Sequence, residues 1–194
     1  MVAANRPLTV VYDACVLYPA PLRDLLMRLA LADVCRARWS DTIHDEWMRN
    51  LLRQRPDLQP SQLERTRDLM NRHVRDCLVT DFEHLISTIT GLPDADDRHV
   101  VAAAMHCGAD LILTFNLRDF PAAALAPHRL AAQHPDEFIT RLLADEPPRV
   151  LAAMSAHRRS LRQPPRTAEE YLGTLEAQGL AKTVVGLAAW AGAI

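Results

Sequence analysis

The chain has 194 residues, 49% hydrophobic and 24% charged, with a formal net charge of −2. That length supports one sizeable core, and the composition is ordinary for a globular protein. The charge excludes bulk attraction to nucleic acid, so a polyanion has to be held by a local patch or a bound cation.

Leu8–Pro19 (LTVVYDACVLYP) begins as a continuous apolar, β-branched run that stops at Asp13. This is the pattern of a strand buried on both faces. Leu22–Asp33 has helical apolar spacing, and Val34–Ser40 alternates like a strand. Ser40 is a cap candidate for a helix carrying Ile43, Trp47 and Leu51, which Pro56 ends. Pro60 opens a further helix whose apolar set is Leu63, Leu69, Met70 and Val74. Cys77–Asp81 is a short strand candidate. Val100, Ala103, Ala104 and Cys107 form a small-residue helix face that Gly108 ends, and DLILTF follows as a second doubly buried strand. HRLAAQ is a short last strand, and HPDEFITRLLAD is a helix with Pro135 near its start.

Strands alternating with helices predict an α/β fold with a parallel sheet covered on both faces. From Glu146 no strand pattern remains. The expected organisation is a domain over 1–145 and an all-helical extension over 146–194, with Leu151, Met154, Leu172, Leu175, Leu180 and Trp190 as internal packing. The first residues make a poor signal peptide, and the uncharged tail is shorter than the ~20 residues that span a bilayer, so the chain reads as cytoplasmic. Cys15, Cys35, Cys77 and Cys107 form no CxxC pair and read as buried free thiols.

In an open parallel sheet, functional groups gather outside the carboxyl ends of the strands. Asp13 stands at one such end, and Thr114 and Asn116 at another. Asp97 opens the alanine-rich helix, and Glu46 lies beside Trp47 at the edge of its helix's buried face. Four elements distant in sequence can therefore aim polar groups at one crevice. Clustered carboxylates raise one another's pKa unless a cation is present. Oxygen donors without His or Cys favour Mg²⁺ or Mn²⁺, which can ready a water for attack on phosphorus.

VVYDACVLY, Glu46 within SDTIHDEW, DADDRHVVAAA and LILTFNLRDFP resemble the ordered motifs of PIN-domain ribonucleases, more narrowly the toxin-type proteins of the VapC class. The resemblance covers about residues 8–145. It implies a three-layer α/β/α sandwich and a Mg²⁺- or Mn²⁺-dependent endoribonuclease. By that resemblance Asp13, Glu46 and Asp97 match the three core acidic ligand positions. Asn116 stands where many relatives carry a fourth aspartate, which argues against a tightly bound second metal. Asp119 is a neighbouring carboxylate that completes the ligand set directly or through water. Helical angle does not choose between Asp96 and Asp97. Family spacing favours Asp97, with Asp94 and Asp96 as supporting or capping groups and Thr114 as a hydrogen-bond partner of a ligand carboxylate or a water.

Phosphate contacts require local arginines. Arg49 and Arg53 lie in RNLLRQR, a second arginine-rich stretch runs from Arg65 to Arg75, and Arg98 and Arg118 flank the acidic positions. Aromatic residues are 5% of the chain, so a broad base-stacking platform is not expected. The resemblance further implies an RNA substrate, a cognate antitoxin covering the acidic groove, and a homodimer. Two alternatives keep the same fold: a housekeeping RNA-processing nuclease and a catalytically silent binding module. A phosphoacceptor signalling domain is excluded chemically, because it needs a lysine near the phosphoryl group and Lys182 is the only lysine.

Overall fold

Val10, Val11 and Tyr12 are fully buried, so the LTVVY run sits at the centre of the sheet. The computed structural model describes residues 6–162, 164–190, 192 and 194. Its strands are β1 (Leu8–Tyr12), β2 (Cys35–Arg38), β3 (Leu111–Leu113) and β4 (Ala131–Gln133). They form one parallel sheet in the order β2-β1-β3-β4. β1 leads to β2 on one side and pairs with β3 on the other, so the topological switch point lies between β1 and β3. That is where an open α/β sheet offers a crevice at its carboxyl ends.

The helices are α1 (Ala14–Leu17), α2 (Ala20–Leu31), α3 (Asp41–Gln54), α4 (Pro60–His73), α5 (Glu83–Ile86) and α6 (Arg98–His106), followed by α7 (Ala122–Leu125), α8 (Pro135–Asp145), α9 (Pro147–Ser160), α10 (Ala168–Ala177) and α11 (Ala181–Leu187). Helices flank the sheet as an α/β sandwich, and the chain from α9 onward is helical. α6 packs on β1 and β3 through Val100, Ala103 and Ala104, all fully buried; small side chains allow that close approach. Gly108 ends the helix at φ 61°, a left-handed conformation that glycine adopts without a Cβ clash.

α3 starts where the Ser40 hydroxyl accepts from the Ile43 N–H at 3.3 Å. Its buried face carries Ile43, His44, Trp47 and Met48. A polar network locks this face to α4. Trp47 Nε1 donates to His44 Nδ1 at 3.0 Å, which leaves the ring proton on Nε2. That proton goes to Asn71 Oδ1 at 3.0 Å, and the same oxygen accepts from Trp39 Nε1 at 2.7 Å. Two buried tryptophans and a neutral histidine therefore fix the rotation of α3.

Three expectations need correction. Cys77–Asp81 forms only a parallel bridge at Leu78 to Trp39, bounded by Asp76 and Asp81 at φ 53° and 63°. Leu69, expected in the apolar set of α4, is 44% exposed, because α4 packs through Leu63 and Met70. Trp190, expected in the core of the extension, is 43% exposed. Leu151, Met154, Leu175 and Leu180 are buried, while Leu172 is half-buried against the core. Among the described residues no helix is long and apolar enough to cross a membrane.

The extension is clamped to α8 by a buried carboxylate. Asp136 Oδ1 accepts from the Thr183 N–H and hydroxyl, both at 2.8 Å, and Oδ2 accepts from the Lys182 N–H at 2.8 Å. Lys182 Nζ also pairs with Glu137 at 2.8 Å. α9 packs on α2, which joins the extension to the helical layer beside β2.

Candidate active site

β1 and β3 end side by side. The Asp13 N–H donates to the Leu113 carbonyl at 3.1 Å, so the next residues on each strand, Asp13 and Thr114, meet across the switch point. Both are buried, at 5% and 0% exposure. Thr114 Oγ1 donates to Asp13 Oδ2 at 2.8 Å and accepts from the Asn116 N–H at 2.9 Å. Asp13 Oδ1 accepts from the Ala14 N–H at 2.7 Å and so caps α1. Burial pushes the Asp13 carboxyl pKa up, and Glu46 adds to this; hydrogen bonds from Cys15, Thr114 and Ala14 oppose it.

Cys15 is part of this constellation. Its Sγ donates to Asp13 Oδ2 at 3.0 Å, lies 3.3 Å from Thr114 Oγ1 and accepts from the Phe115 N–H at 3.2 Å. The expectation of four buried free thiols holds in part: all four are free, but two are not fully buried. Cys35 and Cys77 are buried, whereas Cys15 and Cys107 are half-buried. Its position two residues after Asp13, on the first turn of α1, was the only sequence signal for its role.

Asp97 is the N-cap residue of α6, but its side chain makes no capping hydrogen bond. Its carboxyl is pushed up to about 7, first by burial and then by Asp13, Asp119, Asp94 and Glu46. Asp94 Oδ1 accepts from the Asp96 N–H at 2.8 Å, which shapes the turn before α6, and Asp96 is exposed. Asn116 Nδ2 donates to Asp119 Oδ2. The amide therefore holds the Asp119 carboxylate, which bears on Asp97 from the β3 side.

Glu46 Oε2 lies 3.5 Å from His99 Nε2, a contact that sequence reasoning missed. His99 Nδ1 is buried without a partner. A groove of roughly 630 Å³ runs between α3 and the turn before α6, lined by Glu46, Arg49, Arg53, Asp94, Asp97 and His99 among others. Asp96 also reaches this lining. Arg98 and Arg118 lie outside it, and the Arg98 Nε is buried without a partner. The arginines of α4 do not line it either; Arg67 pairs with Asp68 at 3.0 Å.

The donor set facing the groove is rich in carboxylate oxygen, the chemistry of a hard divalent cation. Among the described residues, no three acidic, His or Cys side chains are drawn close enough to enclose an ion by themselves. Glu46 is turned to His99 instead. A hard cation here would be held by Glu46, Asp94, Asp96 or Asp97 of the groove lining and would keep several of its waters.

Asp97 gives a stability prediction. Its pKa is raised from 3.8 to about 7 in the folded chain, so the native state binds more protons than the unfolded one across that window. This contribution to stability falls as pH rises from about 4 to 7. Asp97→Asn removes it and raises the melting temperature of the metal-free protein at pH 8. The gain shrinks at pH 5 and on adding Mg²⁺. Equal melting temperatures for the two proteins at pH 8 rule out mutual repulsion at Asp97.

Residues 9–118, more than half of the chain, match the PIN domain family, and residues 135–189 match the VapC50 C-terminal domain. A curated relative from Mycobacterium tuberculosis, described as "Putative ribonuclease VapC50", is 51% identical over 43 residues. That stretch is 22% of this chain and 25% of the relative, so the comparison spans about a quarter of the relative's length. No solved structure matches. Together the sheet order, the acidic switch point and the two matched regions place this chain in the PIN domain family, in the class that carries the VapC50 C-terminal domain.

Proposed function

We propose that this chain is a Mg²⁺- or Mn²⁺-dependent endoribonuclease of the VapC class, the toxin of a type II toxin–antitoxin pair, hydrolysing RNA phosphodiester bonds. The observation that carries this reading is the Asp97 carboxyl, pushed up to about 7 first by burial and then by the charges of Asp13, Asp119, Asp94 and Glu46. Such repulsion is relieved by a cation. When bound, the cation supplies Lewis-acid activation of water and neutralises charge on the phosphate.

The protein's own groups divide the work. Thr114, Cys15 and the Ala14 N–H hold Asp13 in one orientation. Asp97 and Glu46 present carboxylate oxygen from α6 and α3. Asn116 orients Asp119, which takes the role of the fourth acidic residue. Asp94 shapes the turn that carries Asp97, and Asp96 adds charge at the groove's lip. Arg49 and Arg53 flank the acidic line and contact RNA phosphates, so binding weakens as salt rises. Arg98 and Arg118 contact phosphates farther along the strand.

The relative's description as a ribonuclease and the matched VapC50 C-terminal domain support the toxin assignment. On the same reading the nuclease unit spans 1–145 and the extension 146–194. The protein acts in the cytoplasm as a homodimer, and an antitoxin protein covers the groove.

The test is cleavage of single-stranded RNA by the purified chain. Mg²⁺ or Mn²⁺ supports cleavage, EDTA abolishes it, and excess metal restores it. Cleavage of equal rate in EDTA overturns the metal assignment. An RNA left intact under every condition favours the silent module.

A further inference from the structure

A second cavity adjoins the groove and shares Glu46, Asn50 and Arg53 with it. It encloses roughly 320 Å³ and is lined by Cys15, Tyr18, Glu46, Asn50, Arg53 and Gln54. Cys15 and Glu46 belong to the acidic site, so this cavity opens directly beside the reacting centre. Glu46, Asn50 and Gln54 follow one another at four-residue steps along α3. Each step rises about 6 Å, so a carboxylate and two carboxamides line one side of the helix like rungs. Asn50 is half-buried and Gln54 exposed, and both line the cavity. Tyr18 is half-buried at the end of α1 and is the only aromatic residue in the lining.

We propose that this cavity is a base-reading pocket, which receives an unpaired adenine next to the scissile phosphate. The proposal rests on the nuclease reading above and adds substrate specificity to it. An unpaired base gains by stacking on an aromatic ring, which Tyr18 offers. A carboxamide presents a donor and an acceptor side by side, the complement of the adenine N6/N7 edge. Arg53 lies beside both cavities and serves the connecting phosphate. The small volume and the single aromatic suit one base, not a stacked run. This fits a chain whose aromatic content is only 5%.

The test separates reading from cutting. Short single-stranded homopolymers of A, C and U are titrated against the wild-type protein in EDTA, with fluorescence anisotropy as readout. The A polymer binds about tenfold tighter than the other two. Asn50→Leu removes that preference, and Tyr18→Leu weakens the A polymer about tenfold, whereas Tyr18→Phe retains it. Circular dichroism and melting temperature confirm that each variant is folded. Parallel cleavage assays in Mg²⁺ report on the nuclease reading. Equal affinity for the three polymers, or a preference for a pyrimidine, overturns the pocket even if all are cleaved. Cleavage lost in Mg²⁺ while the A preference persists in EDTA overturns the nuclease reading and leaves the pocket standing.

Discussion

Asp13→Asn lowers RNA cleavage by about 10³-fold while leaving the melting temperature within a few degrees of wild type. The two halves of this result have separate causes. Asparagine keeps the oxygen that accepts from the Ala14 N–H, so α1 remains capped. It keeps the size of the side chain, so the buried switch point is not emptied. What disappears is the negative charge held by Thr114 and Cys15 at the switch point. The Asp97 carboxyl loses one of its repelling neighbours and moves back toward its ordinary value. Thr114→Val is milder for the same reason: it removes one hydrogen bond to Asp13 but no charge, and costs about tenfold in cleavage. The measurement is the initial rate on one RNA under saturating Mg²⁺, with melting curves for all three proteins. An Asp13→Asn protein as active as wild type moves the chemistry away from the β1–β3 switch point.

Asp136→Ala destabilises the protein by about 3 kcal/mol, which corresponds to a melting temperature lower by roughly 6–12 °C. Three hydrogen bonds end on this buried carboxylate, two from Thr183 and one from the Lys182 N–H. Alanine leaves those donors without their acceptor. Asp136→Asn is a smaller change, because one oxygen still accepts. Its NH₂ group faces a donor, however, so part of the loss remains. The effect reaches the site through α8. The residue before this helix, His134, packs edge-on against Phe115 at 5.1 Å, and the Phe115 N–H donates to Cys15. Denaturant melts measure the loss directly. A midpoint unchanged by Asp136→Ala shows that α11 is held by apolar packing alone.

Much of this architecture was legible because it depends on local pattern. The doubly apolar runs ending at Asp13 and before Thr114 became β1 and β3, and the Ser40 cap fixed the start of α3. Proline at positions 60 and 135 opened α4 and α8. What stayed hidden was set by contacts between distant segments. Cys15 looked like an ordinary small apolar residue until β3 brought Thr114 and the Phe115 N–H to its sulfur. His99 is paired with Glu46 only because α3 and α6 face each other. Helical spacing assigned Leu69 to a buried face, but it faces an open cavity beside α2 and α9. The Arg65–Arg75 stretch read as a source of phosphate contacts, yet none of its arginines lines the groove.

The Asp13–Thr114 hydrogen bond spans 101 residues of sequence. A ribosome adding 5–20 residues per second therefore needs roughly 5–20 s after Asp13 to deliver its partner. β4 follows later still, and pairs with β3 only then. Throughout that interval the Asp13 carboxylate lacks its Thr114 partner, so the site is incomplete. On the nuclease reading, strand order alone thus delays assembly of the site until synthesis of the chain is well advanced.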